Sequence, residues 1–453
     1  MGGRGREVRA GFRDVGRFSV LAFLIGLGST LYVPTPMGRI AMFDLASYIF
    51  AIPLFFQRYP KYPKVFRRLL LLGILWVLNS IVTDFYRGMD FMIAFKAAMI
   101  MLNSLALMIV CEWLLWKTPR CIPYFLAGAS ISAVISLYYF QNGALLHFAM
   151  NNGYGDVGGS MGEFLHEKQT TPLYVAMVFT AGVMLPRLWG FFPKSFCVFL
   201  TFFAGLYVMV HGGARSTCLV YTCVAGLMVC YYYVPKLFVA LFRNKLVTFG
   251  CVAMAAVVFN SVYVFACKNG YLGEHGIRKY EEKISGQSSF LDDRNDIVVD
   301  WPFLWRSPII GAGTIPIDRW GYMDRNPHIP HADQFGNPIH YTFFLGHSCI
   351  VYAWVANGLF GLLFWAYILW LIFDFLGNKV FLLGDAGPFV IHGIIGIVWS
   401  ILFSPYGGFR GKAMMIAVFV ALAKDPNFLR WLGVSTGVNI SRLRIKELRF
   451  AGR

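Results

Sequence analysis

The chain is 453 residues long, 57% hydrophobic and 17% aromatic, with only 14% charged residues and a mean hydropathy of +0.59. That composition excludes an ordinary soluble domain, which needs far more charge to cover its surface, and suits a protein that crosses a membrane many times. The net charge of +17 does not point to nucleic acid, because the basic residues are scattered among short loops between apolar runs, where they report topology.

A crossing helix needs about 20 mostly apolar residues, and the chain offers about twelve such runs. In chain order they fall near 17–36, 39–56, 68–86, 92–116, 121–141, 171–187, 194–211, 215–235, 245–267, 348–375, 386–404 and 412–424. The expected fold is an all-α polytopic membrane protein. Spans one to nine cover 17–267, a large loop covers 268–344, spans ten to twelve cover 345–424, and basic tails cover 1–16 and 425–453. No small-residue cleavage site follows the first run, so it is expected to stay as a span.

Lysine and arginine set the orientation. Arg4, Arg6, Arg9 and Arg13 lie in the first tail, "QRYPKYPKVFRR" follows the second span, and Arg430, Arg442, Arg444, Lys446, Arg449 and Arg453 lie in the last tail. The loops between, such as "VPTPMGR" and "DFYRGMD", are nearly bare. Both termini are therefore expected in the cytoplasm, and 268–344 becomes the dominant outward loop. A smaller outward stretch near 141–170 holds "NNGYGDVGGSMGEFLHEKQ", with His166, Glu167 and Lys168 just before the membrane. Loops this long in compact proteins usually serve function, so chemistry is expected at the outer face.

Several classes find no support. The nine cysteines have no framework spacing, and only Cys267 and Cys349, both near the outer face, could meet. Zinc spacing, a Walker loop and a dinucleotide fingerprint are all missing from the sequence. The halves show no inverted similarity, no span carries paired acids at mid-depth, and charge is almost absent from the inner half of the spans. A transporter or flippase is thereby disfavoured.

Three local features remain. In "HGGARST", Arg215 opens the eighth span on the outward side, where short loops otherwise avoid basic residues; it is either a snorkelling anchor or an anion ligand. In "LDDRNDIVVDWPFLWRSPIIGAG", the spacing of Ile297, Val298, Trp301, Leu304 and Trp305 predicts a short helix near the membrane, ended by Pro308 and a glycine turn. Asp292 and Asp293 would cap it, which leaves Arg294 in a first turn that disfavours a cation, so another cause is needed for it there. The third feature is His347, at the head of "LGHSCIVYAWVANGLFGLLFW". Alone it reads as an interfacial anchor, but with two outward arginines it suits group transfer from a lipid diphosphate.

The order "GARS" at the head of a span, then "LWRSPIIGAG" in the large outward loop, then "GHS" leading into "GLFGLL", resembles the O-antigen ligase and polysaccharide polymerase superfamily. The motifs lie within residues 200–365, and the span count and topology extend the resemblance along the chain. It implies a GT-C-like fold and an inverting, metal-independent glycosyltransferase without cofactor in the bacterial inner membrane. The donor would be an undecaprenyl diphosphate-linked glycan, and the acceptor lipid A-core for a ligase or another carrier-linked glycan for a polymerase. A protein-glycosylating relative is a further form. The family's cationic pair falls on Arg215 and Arg294 and its histidine on His347. Where the family usually has serine before the first arginine and asparagine after the histidine, this chain has Ala214 and Ser348.

The chemistry suits those residue types. Negative charge grows on the diphosphate as it leaves, and guanidinium groups hold it bidentately at any relevant pH. Flanking arginines would keep His347 neutral, as a base for the acceptor hydroxyl requires. Lys168, Arg306 and Arg410 are secondary candidates for the same anion.

Overall fold

The structure is a computed structural model, and it describes residues 17–28, 32–35, 38–118, 121–122, 124–129, 131, 194–212, 215–243, 254, 258, 261–262, 264–271, 277, 304–314, 348–403 and 410–436. The described residues are mostly helical. Helix α1 is Arg17–Gly28. A two-stranded antiparallel hairpin follows, β1 (Tyr32–Thr35) and β2 (Gly38–Ala41). Then come α2 (Met42–Arg58), α3 (Lys64–Tyr86) and α4 (Phe91–Lys117). Next are α5 (Lys194–Gly212), α6 (Arg215–Tyr233), α7 (Pro235–Arg243) and α8 (Cys349–Asn378). The last are α9 (Gly387–Phe403), α10 (Arg410–Leu422) and α11 (Pro426–Thr436).

Among the described residues three helices are long and apolar enough to cross a membrane, at Lys64–Tyr86, Ala98–Lys117 and Cys349–Gly377, with four shorter apolar ones at Arg17–Gly28, Cys218–Tyr233, Val390–Phe403 and Ala413–Leu422. The protein is thus a helical membrane protein. The expected run 171–187 and most of 121–141 and 245–267 lie outside the described residues.

Two expectations need correction. The first run was expected to be helical to residue 36, but its helix ends at Gly28 and 32–35 is a strand. Pro34 lacks the N–H that a helix interior requires, and β-branched Val33, Thr35 and Ile40 favour an extended chain. Outside this one short hairpin the described elements are helical, compatible with the expected all-α membrane fold. The second concerns 425–453, expected to be a tail. Its first part is helix α11, where the Asp425 carboxylate accepts the Asn427 N–H at 2.7 Å and Pro426 opens the first turn. Phe428 and Leu432, at helical spacing, are buried against the bundle.

The core runs through α10, whose residues 413–422 are all buried, as befits a helix apolar on every side. It packs on α4 and α8, while α8 also packs on α3, α7 and α9, and α6 on α5 and α9. Contacts at the helix ends give the bundle two poles. At the lower pole, the end of α2 meets the last third of α4, Asp374 of α8 meets Lys424 just past α10, and Tyr231 at the end of α6 stacks on Phe381 at 4.8 Å. It follows that Arg215 and Arg410, the first residues of α6 and α10, stand at the upper pole. The end of α3 and the start of α8 stand there too.

Candidate functional site

The upper pole is built around a break in α8. Gly358 has φ 63° and ψ −153°, which interrupts the helix and frees the backbone groups that ordinary i to i−4 bonding would have used. In a regular helix the Leu359 N–H would donate to the Val355 carbonyl. Here it donates to the Ile309 carbonyl at 3.0 Å, and the Val355 carbonyl accepts from the Ala312 N–H at 2.7 Å. The Ala356 carbonyl accepts from the Gly313 N–H at 3.0 Å, and the Asn357 carbonyl from the Asn79 amide at 2.5 Å. The segment 304–314 is therefore inserted into the break and satisfies the groups the break exposes. Irregular backbone within a membrane persists only where protein supplies such partners.

The fit leaves no room for a side chain on either strand of the joint. A Cβ on Gly358 would sit 2.0 Å from the Ile309 carbonyl oxygen, and one on Gly311, at φ +93°, would sit 2.3 Å from that of Ala356. Both glycines are needed for close approach as well as for their positive φ. The glycine turn expected after Pro308 is present, with the Gly311 N–H donating to the Ser307 carbonyl at 3.0 Å.

Helix α3 closes the joint from the other side. Its last third carries Asn79, Ser80, Thr83, Asp84 and, just past its end, Arg87. The Asn79 amide and the Thr83 hydroxyl both donate to the Ile310 carbonyl at 2.9 Å. Arg87 Nη2 donates to Ser307 Oγ at 3.0 Å and to the Gly311 carbonyl at 3.1 Å. The Asp84 carboxylate, 1% exposed, accepts the Thr314 N–H at 2.6 Å and its hydroxyl at 2.5 Å. Since the Thr314 proton goes to Asp84, the Ser80 hydroxyl 3.0 Å away donates to Thr314 Oγ1. Lower down, Trp76 Nε1 donates to Asn357 Oδ1 at 2.9 Å and stacks on Phe364 at 4.8 Å.

The same joint reaches the head of α8. Ser348 is buried and caps the helix, its hydroxyl accepting the Val351 N–H at 3.4 Å. One turn on, the Tyr352 hydroxyl donates to the Thr314 carbonyl at 2.6 Å. Thr314 and Ser348 therefore sit beside the same first turns of α8.

Of the residues expected to carry chemistry, Arg215 and Arg410 head their helices at the upper pole, and Arg306 is exposed on the turn at 304–306 next to the joint. His347 lies outside the described residues, immediately before the Ser348 cap. Arg294 and Lys168 also lie outside them. Cys267 and Cys349, which the sequence allowed to meet, are both free and buried.

Sequence reasoning missed the polar face of α3. Asn79, Ser80, Thr83 and Asp84 recur at helical spacing at one end of an otherwise apolar span, and polar groups so placed in a membrane helix mark a buried partner or a site. The pair Asn357–Gly358, an unlikely couple within a helix, was a second legible signal. The inner half of the spans was also expected to be almost free of charge, and at the lower pole Glu112 of α4 is fully buried. Arg58 engages it bidentately at 2.7 and 2.8 Å, so each charge compensates the other. Beside it Tyr62 packs edge-on against Phe66 at 4.9 Å, and burial, with the Glu112 charge, pushes its phenol up.

No protein-family model matches the chain, and no curated protein matches it either.

Proposed function

We propose that the protein is a membrane glycosyltransferase of the O-antigen ligase and polysaccharide polymerase type, working at the outer face of the bacterial inner membrane. The donor is a glycan on undecaprenyl diphosphate, and the leading acceptor is a hydroxyl of lipid A-core. The observation that supports this reading is the seating of 304–314 in the break of α8. It packs the segment bearing "LWRSPIIGAG" against the helix bearing "GLFGLL", two of the motifs on which the resemblance rests.

In this mechanism the acceptor oxygen bonds to the anomeric carbon as the bond from that carbon to the diphosphate oxygen breaks. His347 takes the acceptor proton, and the diphosphate leaves with the electron pair. Arg215 and Arg294 hold the growing charge on the leaving group, with Lys168, Arg306 and Arg410 as further cations for carrier or glycan. Inversion follows from a single displacement.

The test is reconstitution of the purified protein with carrier-linked glycan, first alone and then with lipid A-core. Transfer that begins only on adding lipid A-core supports the ligase form, and a glycan that lengthens on donor alone makes the protein a polymerase. His347→Ala should lower the rate by about 100-fold or more. An undiminished rate in that variant removes the histidine from the reaction.

A further inference from the structure

The geometry points to Asp84 as a positioning residue: through Thr314 it holds the segment 304–314 in the α8 break, and thereby sets the place of the head of α8, which His347 directly precedes in sequence. This role rests on the glycosyltransferase reading above, although the holding itself does not.

Asp84 stands near the end of α3 and is almost completely buried. Its two side-chain hydrogen bonds both come from one residue, Thr314, through the backbone N–H and the hydroxyl. Among the described residues no cation forms an ion pair with this carboxylate. A buried charge held only by neutral donors is costly, and apolar packing would serve stability as well or better. Its placement is explained by what the bidentate grip specifies. A carboxylate offers acceptors only, so it fixes both the backbone and the side chain of Thr314 at one orientation.

That orientation is passed on. The Thr314 carbonyl accepts from Tyr352, one turn into α8, and the residues before Thr314 complete the backbone pairing with Val355, Ala356 and Leu359. The head of α8 is thus tied to a point clamped by Asp84: Tyr352 lies one turn beyond the Ser348 cap, and His347 precedes that cap in sequence. Small displacements of reacting groups are expensive in group transfer, since a misplacement of about 1 Å can cost about 100-fold in rate.

Asp84→Asn is the informative change. It keeps the volume, removes the buried charge, and retains one acceptor for the Thr314 N–H, while its amide cannot accept the Thr314 hydroxyl proton. Thr314→Val removes that hydroxyl from the other partner, and Thr314→Ser restores it. Amide hydrogen exchange at Ala312, Gly313 and Leu359 would be followed in the full chain in detergent, beside kcat and KM for carrier-linked glycan.

We expect Asp84→Asn and Thr314→Val each to speed exchange at those amides about 10-fold or more and to lower kcat by a similar factor with little change in donor KM. Thr314→Ser should behave as the unaltered protein, and the double variant should be no worse than either single one. Unchanged exchange in Asp84→Asn overturns the clamp. Faster exchange with unchanged kcat overturns the positioning role. If the unaltered protein transfers no glycan, the glycosyltransferase reading and the positioning role fall together, and exchange still decides whether Asp84 holds the segment.

Discussion

The two poles of the bundle are joined by different physics. At the lower pole, separate helices are tied by ion pairs and aromatic contacts: Arg58 with Glu112, Asp374 with Lys424, Tyr231 on Phe381 and Trp116 edge-on to Phe428 at 5.4 Å. At the upper pole, a loop segment and a broken helix complete each other's backbone hydrogen bonding, and side chains of α3 close over the result. Side-chain ties can be traded for other packing of similar volume, but a backbone joint cannot, because its donors and acceptors are the chain itself. The lower pole therefore ties separate helices together, whereas the upper pole holds one defined geometry.

The sharpest way to break that comparison is Gly358→Ala. The added methyl would meet the Ile309 carbonyl at 2.0 Å, and the residue would also be forced to keep a positive φ. Backbone strain and the expulsion of 304–314 act together, so a loss of about 4 kcal/mol or more is expected. In practice the variant should fail to yield folded protein in detergent, read by size-exclusion chromatography and thermal unfolding. A variant that folds normally would show that α8 can close over the break without the segment.

The buried ion pair comes next. Glu112→Ala leaves the Arg58 guanidinium without its bidentate partner, and removing one side of a buried pair costs about 3–5 kcal/mol. Changing both residues, Glu112→Leu with Arg58→Met, should recover most of that loss in thermal unfolding, because no orphaned charge remains. No comparable rescue exists for Gly358. If the double change were as harmful as the single one, the ion pair would carry a specific task and the contrast between the poles would fail.

What the sequence revealed follows the same division. Long apolar runs announce themselves, so α3, α4, α5, α6, α8 and α9 lie close to where hydropathy puts them. Short amphipathic pieces do not, and α7 and α11 escaped for that reason despite Pro235 and Asp425–Pro426 at their starts. Asn357–Gly358 marked where α8 could break but not what fills the break, since its partners lie far along the chain: Asn79 and the Asn357 carbonyl it binds are 278 residues apart. The placement of Arg215 and Arg410 at one pole was legible from the order of the spans, but the frame that α3 supplies was passed over. Its polar residues, Asn79 to Asp84, sit in a run whose mean hydropathy still marks it as a span.

The smallest effect is expected at the rim of the lower pole, and it tests how redundant that pole is. Lys424 Nζ lies 2.5 Å from Asp374 Oδ2 and 4.5 Å from the centre of the Trp370 ring, so two attractions hold one ammonium. Lys379 approaches the same carboxylate at 3.6 Å. All three charged groups are partly in reach of solvent, where such pairs are worth about 1 kcal/mol or less and weaken with salt. In Lys424→Ala the Asp374 carboxylate keeps Lys379, so it is not left uncompensated as Arg58 would be without Glu112. The expected loss is about 0.5 kcal/mol at low salt, shrinking further at high salt, by thermal unfolding of the detergent-solubilised protein. A loss as large as that of Glu112→Ala would mean that the lower pole holds its geometry as strictly as the upper one.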